Sequence, residues 1–209
     1  LRSVLLRNIG AIQGKIITTF HGFDVNMYVR ERGNKIYTDL FEKGDLYTVN
    51  TSFTGNFAIA LGCPENKIIK LPVGLNVSLY SFQPKILNTG ETVKIITVAR
   101  LVEKKGLEYS IRAVSKVLQT KSNIEYRIVG EGELCESLTN LITELGVSDR
   151  IKLLGWKTQD ELRLLYADSH ISILSSVTTS DGDQEGQGLV LQEAQAMGLP
   201  VLSTLHNGI

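Results

Sequence analysis

Short apolar runs that alternate with longer amphipathic segments constrain the fold of this 209-residue chain most. Beyond residue 92 the alternation is regular, and in one segment the apolar residues Leu107, Ile111, Val114 and Leu118 recur at helical spacing. Strands separated by helices of about ten residues are typical of βαβ units, because parallel strands need a long crossover connection. The sequence therefore predicts an α/β protein with parallel sheets.

Run length and flanking residues predict the individual elements. Strands are predicted at 15–20, 45–50, 67–71, 93–99, 124–129, 151–154, 170–174 and 200–203. Helices are predicted at 52–61, 107–118, 133–145, 159–167 and 188–197, and the chain begins at Leu1 inside a further helix. Three of the predicted helices are followed at once by a glycine, which is typical of a helix end: Gly62, Gly146 and Gly198.

An irregular segment divides the chain. Residues 72–92 have no clear period and contain Gly74, Pro84 and Gly90, which favours an interdomain linker. We predict a partial N-terminal domain at 1–75, a linker at 76–92 and a C-terminal domain at 93–209. Because the chain starts without Met and stops in a loop after a strand, we expect a fragment of a longer protein, truncated at both ends.

The composition excludes several classes of protein. Lys and Arg together number 22, as do Asp and Glu, so no global charge favours nucleic acid or an anionic membrane. No apolar run is long enough to span a bilayer. The cysteines Cys63 and Cys135 fit no metal-ligand or redox spacing, and we expect both to be small core residues in a reducing compartment.

The basic residues that follow the strand at 93–99 form one candidate anion site. In open parallel sheets, ligands bind outside the carboxyl ends of the strands. Arg100 ends this strand and Lys105 precedes the next helix, so two cations and a helix N-terminus could converge on a diphosphate. A solvated basic turn is the alternative, and the spacing leaves both open.

The glycine-rich loop at 180–188 is a second candidate. Its spacing is not that of a calcium loop. Gly186 and Gly188 would let the backbone approach a ligand, and the amides near Leu189 and Val190 would face phosphate. Glu193, one turn into the helix, could accept hydrogen bonds from ribose hydroxyls, or it could be a surface residue. Glu185 could simply stabilise the N-terminus of the helix through its negative charge.

Four further candidate residues follow predicted strands. His21 could shuttle a proton or bind a sugar hydroxyl. Gly132 could allow close backbone approach, although Cys135 replaces the third glycine of the dinucleotide fingerprint, which weakens a hydride-transfer function. Trp156 and Lys157 could flank a nucleobase, while a core tryptophan at a strand end is an equal alternative.

Several motifs together resemble one known family. The segments VARLVEKKGLEYSIRA, RIVGEGEL and DGDQEGQGLVLQEAQAMGLPVLST, with two glutamates separated by seven residues, are similar to retaining nucleotide-sugar glycosyltransferases of family 4. The resemblance covers about 93–209, and TTFHGFD and KIIKLPVGLNVSLYSF extend it. It implies the GT-B architecture, with two Rossmann-like domains of which the first is incomplete. Within the family, DGDQEG and STLHNGI are most similar to bacterial transferases that build exopolysaccharides of the colanic acid type.

The resemblance also implies a role for each candidate residue. Arg100 and Lys105 would neutralise the donor diphosphate as it leaves, and Glu193 would hold the ribose. Glu185 would lie near the donor sugar, and His21 near the reacting sugar on the acceptor side. The remaining donor-binding positions would contact sugar hydroxyls, phosphate or base: Gly132, Trp156, Lys157, Gly186, Gln187, Gly188, Leu189 and Val190.

The implied function is that of a retaining hexosyltransferase. It would move a hexose from a UDP- or GDP-sugar to a growing polysaccharide or lipid-linked oligosaccharide, without a metal or other cofactor and without nucleic acid. The resemblance implies a cytoplasmic enzyme, with action at the inner face of the plasma membrane and peripheral contact through a missing N-terminal region left open. A sugar-nucleotide epimerase of the same architecture and a non-catalytic nucleotide-sugar binding protein are the alternatives.

Overall fold

A computed structural model describes residues 2–209, which form two compact units; Leu1 lies outside the described residues. The first unit contains the chain up to Gly74 together with Thr178–Gln187 and Asn207–Ile209. The second contains Leu75–Val177 and Gly188–His206. The prediction from the sequence instead keeps all of 93–209 in one domain, and it remains a prediction.

The first unit is built on a three-stranded parallel sheet. Strands β1 (Ile17–Phe20), β2 (Leu46–Val49) and β3 (Ile68–Lys70) lie in that order, and Phe20 pairs with Val49. Four helices accompany the sheet: α1 (Arg2–Asn8), α2 (Met27–Arg32), α3 (Thr38–Lys43) and α4 (Ser52–Ala60). Helix α4 begins where the Thr51 hydroxyl accepts a hydrogen bond from the Thr54 amide, a common helix cap.

Aromatic side chains form the centre of the first core. The Phe20 ring lies 5.4 Å from Tyr37, 6.1 Å from Phe41 and 6.2 Å from Tyr47, measured between ring centroids. All four rings are buried, and pairs at these separations stabilise a core beyond the area that they bury. This packing holds the end of β1, and therefore the chain entering His21, in a fixed position.

The second unit is a five-stranded parallel sheet with helices. Strands β4 (Val93–Val98), β5 (Ile124–Val129), β6 (Ile151–Leu153), β7 (Ile171–Leu174) and β8 (Val201–Ser203) lie in the order β6-β5-β4-β7-β8. The helices are α5 (Leu107–Leu118), α6 (Cys135–Glu144), α7 (Gln159–Ala167) and α8 (Leu189–Ala196). The order reverses between β4 and β7, which makes this a Rossmann-like sheet with its ligand crevice expected beside β4.

Amphipathic spacing explains how the helices of the second unit pack. On α5, Leu107, Ile111 and Val114 are only 1%, 0% and 4% exposed, so the predicted apolar face is the buried one. Helix α7 begins with a reciprocal cap in which Thr158 and Glu161 each bond the other's backbone amide. The prediction of an α/β fold with parallel sheets is confirmed.

The predicted elements are all present, with bounds that differ by at most two residues. The helices α2 and α3 were not predicted, since six residues are too few to establish a helical period. One packing prediction is wrong: Cys63 is buried, but Cys135 is exposed because it opens α6 on the solvent side. Within residues 2–209, none of the helices has both the length and the apolar character needed to cross a membrane.

Candidate functional site

The carboxyl edge of the five-stranded sheet opens into a cleft of about 420 Å³. Its wall comes from the turns after β4, β5 and β6 and from the first residues of α7 and α8. The lining residues are Val98, Ala99, Arg100, Lys105, Val129, Gly130, Glu131, Trp156, Lys157, Gln159, Leu162 and Val190. This is where a parallel sheet of this strand order is expected to bind its ligand.

Arg100 and Lys105 lie together on the wall of this cleft, as predicted. Arg100 is exposed directly after β4, and Lys105 is half-buried at the end of a short turn. The Leu101 amide donates to the Glu131 carbonyl at 2.8 Å, and the Lys105 amide donates to the Val102 carbonyl at 3.1 Å. These bonds fix the turn, so the two cations face one space; their binding of a diphosphate stays a prediction.

Gly130 and Gly132 are glycines because the neighbouring turn leaves no room for a side chain. A Cβ on Gly130 would overlap the Ala99 carbonyl oxygen, and one on Gly132 would overlap the Leu101 carbonyl oxygen. Gly130 and Glu131 line the cleft, whereas Gly132 is not among the lining residues. The backbone that approaches Gly132 is thus the protein's own, and its predicted contact with a donor stays a prediction.

Trp156 and Lys157 stand on the β6 side of the cleft. The Trp156 side chain is 64% exposed, so the alternative of a core tryptophan is wrong. An exposed indole beside a cleft offers a flat face for stacking a base. Gln159 also lines the cleft; it opens α7, and no sequence motif distinguishes it.

Glu193 is half-buried on α8, and a buried tyrosine orients it. The Tyr166 hydroxyl lies 3.3 Å from Glu193 Oε2 and 3.4 Å from the Val190 carbonyl oxygen. Burial raises the pKa of Glu193, and hydrogen bonds from Tyr166 and Tyr80 partly offset this. Because Leu191 and Ala194 on the same helix are buried, Glu193 is not a freely solvated surface residue.

The carboxyl edge of the first sheet carries His21 and Asn50 on neighbouring strands. The exposed His21 follows β1, and its amide donates to Asp24 Oδ1 at 3.0 Å. Asn50 follows β2, and its Nδ2 donates to the His21 carbonyl at 3.1 Å. Asn50 is 4% exposed, and its Oδ1 has no hydrogen-bond partner among the described residues. Asn50 opens a short match to the glycosylation sequon, Asn50-Thr51-Ser52, and that pattern does not indicate this contact.

The segment Thr178–Gln187 lies against this edge of the first sheet. A Cβ on Gly186 would stand 2.6 Å from the His21 carbonyl oxygen, so the two backbones are in direct contact. Glu185, beside it, is half-buried. The Gln187 amide group pairs with the Val73 backbone in both directions, at 3.0 and 2.9 Å. The contacts of Glu185, Gly186 and Gln187 with donor hydroxyls stay predictions.

Gly188, Leu189 and Val190 form the start of α8 in the second unit. Gly188 is the helix cap residue, and its carbonyl accepts a hydrogen bond from the Leu191 amide at 3.0 Å. Val190 lines the cleft. Residues 2–209 include no group of three or more His, Cys, Asp or Glu side chains placed to hold a metal ion, and independence from metal stays a prediction.

Comparison with known proteins places these features in one family. The sequence model described as "Glycosyl transferases group 1" matches residues 81–209. The chain is 37% identical over 98% of its length to the putative colanic acid biosynthesis glycosyltransferase WcaL of Escherichia coli K12. It is 36% identical over 98% of its length to the amylovoran biosynthesis glycosyltransferase AmsK of Erwinia amylovora. In both cases 50% of the relative is covered, so the chain spans about half the length of these curated proteins.

A solved structure shows the same fold. The chain matches the crystal structure of Anabaena Alr3699/HepE in complex with UDP and glucose with a TM-score of 0.79 and 19% identity. The match covers 99% of this chain and 56% of that one. At this identity the likeness establishes the fold alone, which is the predicted GT-B type. The family model spans more than half of the residues, and the bacterial relatives exceed 30% identity, so the chain belongs to the group 1 glycosyl transferases.

Proposed function

We propose that the protein is a retaining glycosyltransferase of family 4 that moves a hexose from a UDP- or GDP-sugar to a growing polysaccharide or lipid-linked oligosaccharide. One observation carries the proposal: Arg100 and Lys105 share the wall of an open cleft at the carboxyl edge of the Rossmann-like sheet. The cleft volume of about 420 Å³ is in the range of small-molecule sites.

The two cations supply what sugar transfer from a nucleotide needs most. Negative charge grows on the leaving diphosphate as the bond to the sugar breaks. A guanidinium and an ammonium held in fixed positions stabilise that charge without reorganisation. With these groups present, we expect transfer to need no metal ion.

Further candidate residues of the second unit suit the rest of a nucleotide; Trp156 and Lys157 line the cleft, whereas Glu193 is not among its lining residues. The exposed face of Trp156 can stack on the base, with Lys157 beside it. Glu193, oriented by Tyr166, would accept hydrogen bonds from the ribose hydroxyls. Burial strengthens such bonds because less water competes for the carboxylate. In the first unit, His21 would lie near the reacting sugar, and Glu185 near the donor sugar.

The named relatives support the substrate class. Colanic acid and amylovoran synthesis support a polysaccharide as product, and the UDP and glucose bound by HepE support a nucleotide-sugar donor. Retention of anomeric configuration is proposed from the family resemblance. We propose action in the cytoplasm at the inner face of the plasma membrane, where lipid-linked acceptors are available.

The test compares two double variants of the full-length protein. Arg100→Ala with Lys105→Ala removes both cleft cations. Each charge-assisted hydrogen bond contributes about 1.5–3 kcal/mol, so kcat/KM for transfer should fall about 10²- to 10⁴-fold. Arg112→Ala with Lys116→Ala removes the same charges from α5, outside the cleft, and should leave transfer unchanged.

A thermal-shift screen of UDP- and GDP-sugars identifies the donor, since a bound ligand raises Tm by mass action. Transfer that survives in the cleft variant would overturn the roles of the two cations. Release of an epimerised sugar nucleotide without any acceptor would overturn the transferase proposal itself.

A further inference from the structure

Two side chains of the first unit hold the segment Thr178–Gln187 by its backbone. Asn26 follows the turn after β1 and is 7% exposed. Its Nδ2 donates to the Gly182 carbonyl at 2.7 Å. Arg30, one turn further on in α2, donates from its guanidinium to the Asp181 carbonyl. Both bonds go to main-chain carbonyls, so they fix the path of the segment rather than one side chain.

Gly182 is shaped for this attachment. It is buried with φ of +82°, a conformation that favours glycine. A Cβ there would overlap the guanidinium of Arg30. Next to it, the Thr179 amide donates to the Asp183 carbonyl at 3.0 Å, which closes the turn that presents both accepting carbonyls. The guanidinium of Arg30 therefore lies against a closed turn.

The other end of the segment is fixed separately. The Gln187 amide group pairs with the Val73 backbone, and Gly186 contacts the His21 carbonyl. Glu185 thus stands between two attachments, one made by Asn26 and Arg30 and the other by Val73. A segment fixed at both ends has little freedom to move the residue between them.

We propose that Asn26 and Arg30 are positioning residues, which hold Thr178–Gln187 so that Glu185 meets the sugar of the donor. This inference rests on the proposed function. We do not expect either residue to contact the substrate, because both act through the backbone of the segment. Neither Asn26 nor Arg30 belongs to the proposed nucleotide contacts, so loss of the attachment should affect the sugar and spare the nucleotide.

Two arginines on the same helix provide a matched experiment in the full-length protein. Arg30→Ala removes the bond to Asp181, whereas Arg32→Ala removes an arginine that lies over the Tyr28 ring, 5.9 Å from its centroid. For Arg30→Ala we expect kcat for transfer from the sugar nucleotide to fall about tenfold or more, as for one hydrogen bond to a charged group. Affinity for UDP or GDP alone should stay within about twofold of wild type. Arg32→Ala should match wild type in both.

Hydrogen exchange measured by mass spectrometry reads the attachment without activity. Peptides from 178–187 should exchange about tenfold faster in Arg30→Ala than in Arg32→Ala, because the closed turn loses its anchor. Gly182→Ala, which displaces the guanidinium, should reproduce both effects. Arg30→Lys, which keeps one donor, should recover part of the transfer rate.

The outcomes separate this proposal from the proposed function. Unchanged exchange and unchanged transfer in Arg30→Ala would overturn the positioning role. An equal loss of UDP or GDP affinity would also contradict it, because the effect would then not be confined to the sugar. If the wild-type protein binds no sugar nucleotide, the proposed function fails, and faster exchange in Arg30→Ala would still establish the attachment.

Discussion

The carboxyl edge of the second sheet opens into a cleft with Arg100 and Lys105 on its wall, whereas the corresponding edge of the first sheet is covered by the backbone of Thr178–Gln187. At both edges, polar residues directly follow parallel strands. They differ in the chain that surrounds those residues. In the second unit, only short turns surround these residues. In the first unit, a segment that is distant in the sequence lies against the edge.

One glycine at each edge shows how this difference affects the packing of the backbone. Gly130 has φ of +137° and packs against the Ala99 carbonyl within the turn that shapes the cleft. Gly186 packs against the His21 carbonyl, but it belongs to a segment that joins the first unit from far along the chain. A side chain at Gly130 would therefore strain the fold, whereas one at Gly186 would displace the covering segment.

The largest expected effect comes from substituting these glycines. Gly130→Ala combines a strained φ with overlap of a backbone oxygen and should lower the free energy of unfolding by about 3 kcal/mol or more. Gly186→Ala should lower it by about 1–2 kcal/mol, because its φ is not in the left-handed region but the added Cβ would push the fixed segment away from the His21 carbonyl. Chemical denaturation measures both values, and hydrogen exchange of peptides from 178–187 should rise only in Gly186→Ala.

Gly155→Ala is the control for backbone strain alone. Gly155 has φ of +67° and open space where a Cβ would stand, so alanine should cost about 1–2 kcal/mol. Equal losses of unfolding free energy at Gly130 and Gly186 would show that both edges are equally rigid parts of the fold.

One cysteine lies in each unit, and the two differ in burial. Cys63 is buried, and burial raises the pKa of its thiol from 9.0 to about 11. At pH 8 this lowers its thiolate fraction roughly 100-fold, and only the thiolate reacts with iodoacetamide. Cys135 is exposed and should be alkylated first, at least about 100-fold faster, as followed by mass spectrometry.

The variant Cys135→Ser isolates the slow reaction of Cys63. The rate of Cys63 alkylation should rise in denaturant as the first unit unfolds. Alkylation of Cys63 at the rate of Cys135 in the native protein would show that the first core opens freely, contrary to its packing.

The smallest expected effect concerns Glu193. Burial raises its pKa above 4.5, so the native state binds this proton more tightly than the unfolded chain. Stability from this group is therefore present at low pH and is lost as pH rises from about 4.5 through the higher native value. Glu193→Gln should remove this decline, a change in Tm on the order of 2 °C by calorimetry at a series of pH values.

Glu133 lies on the exposed surface. The variant Glu133→Gln should keep the wild-type pH dependence of Tm, because Glu193 remains intact. An unchanged decline in Glu193→Gln would show that Glu193 is fully solvated. In that case its orientation by Tyr166 could not contribute to ribose binding.

Local pattern was sufficient for much of the fold and for part of the site. The apolar spacing of Leu107, Ile111 and Val114 predicted α5 and its buried face, because helix period and burial are coupled. The rule for parallel sheets brought Arg100, Lys105 and Trp156 to one edge. The six-residue helices α2 and α3 were missed, and Cys135 was misplaced, because neither a short helix nor a lone cysteine carries a periodic signal.

The alternation of strands and helices, the parallel sheets and the family motifs can be read from the sequence, because each depends on residues close together in the chain. Three features follow from the folded structure and not from local sequence: Asn26 and Arg30 hold a segment about 150 residues away, Tyr166 orients Glu193, and Gly130 and Gly132 accommodate the protein's own backbone. These contacts join side chains, or the backbone of a glycine, to distant backbone carbonyls or to a single hydroxyl. A main-chain carbonyl is present at every residue, so no sequence pattern can indicate which one is chosen.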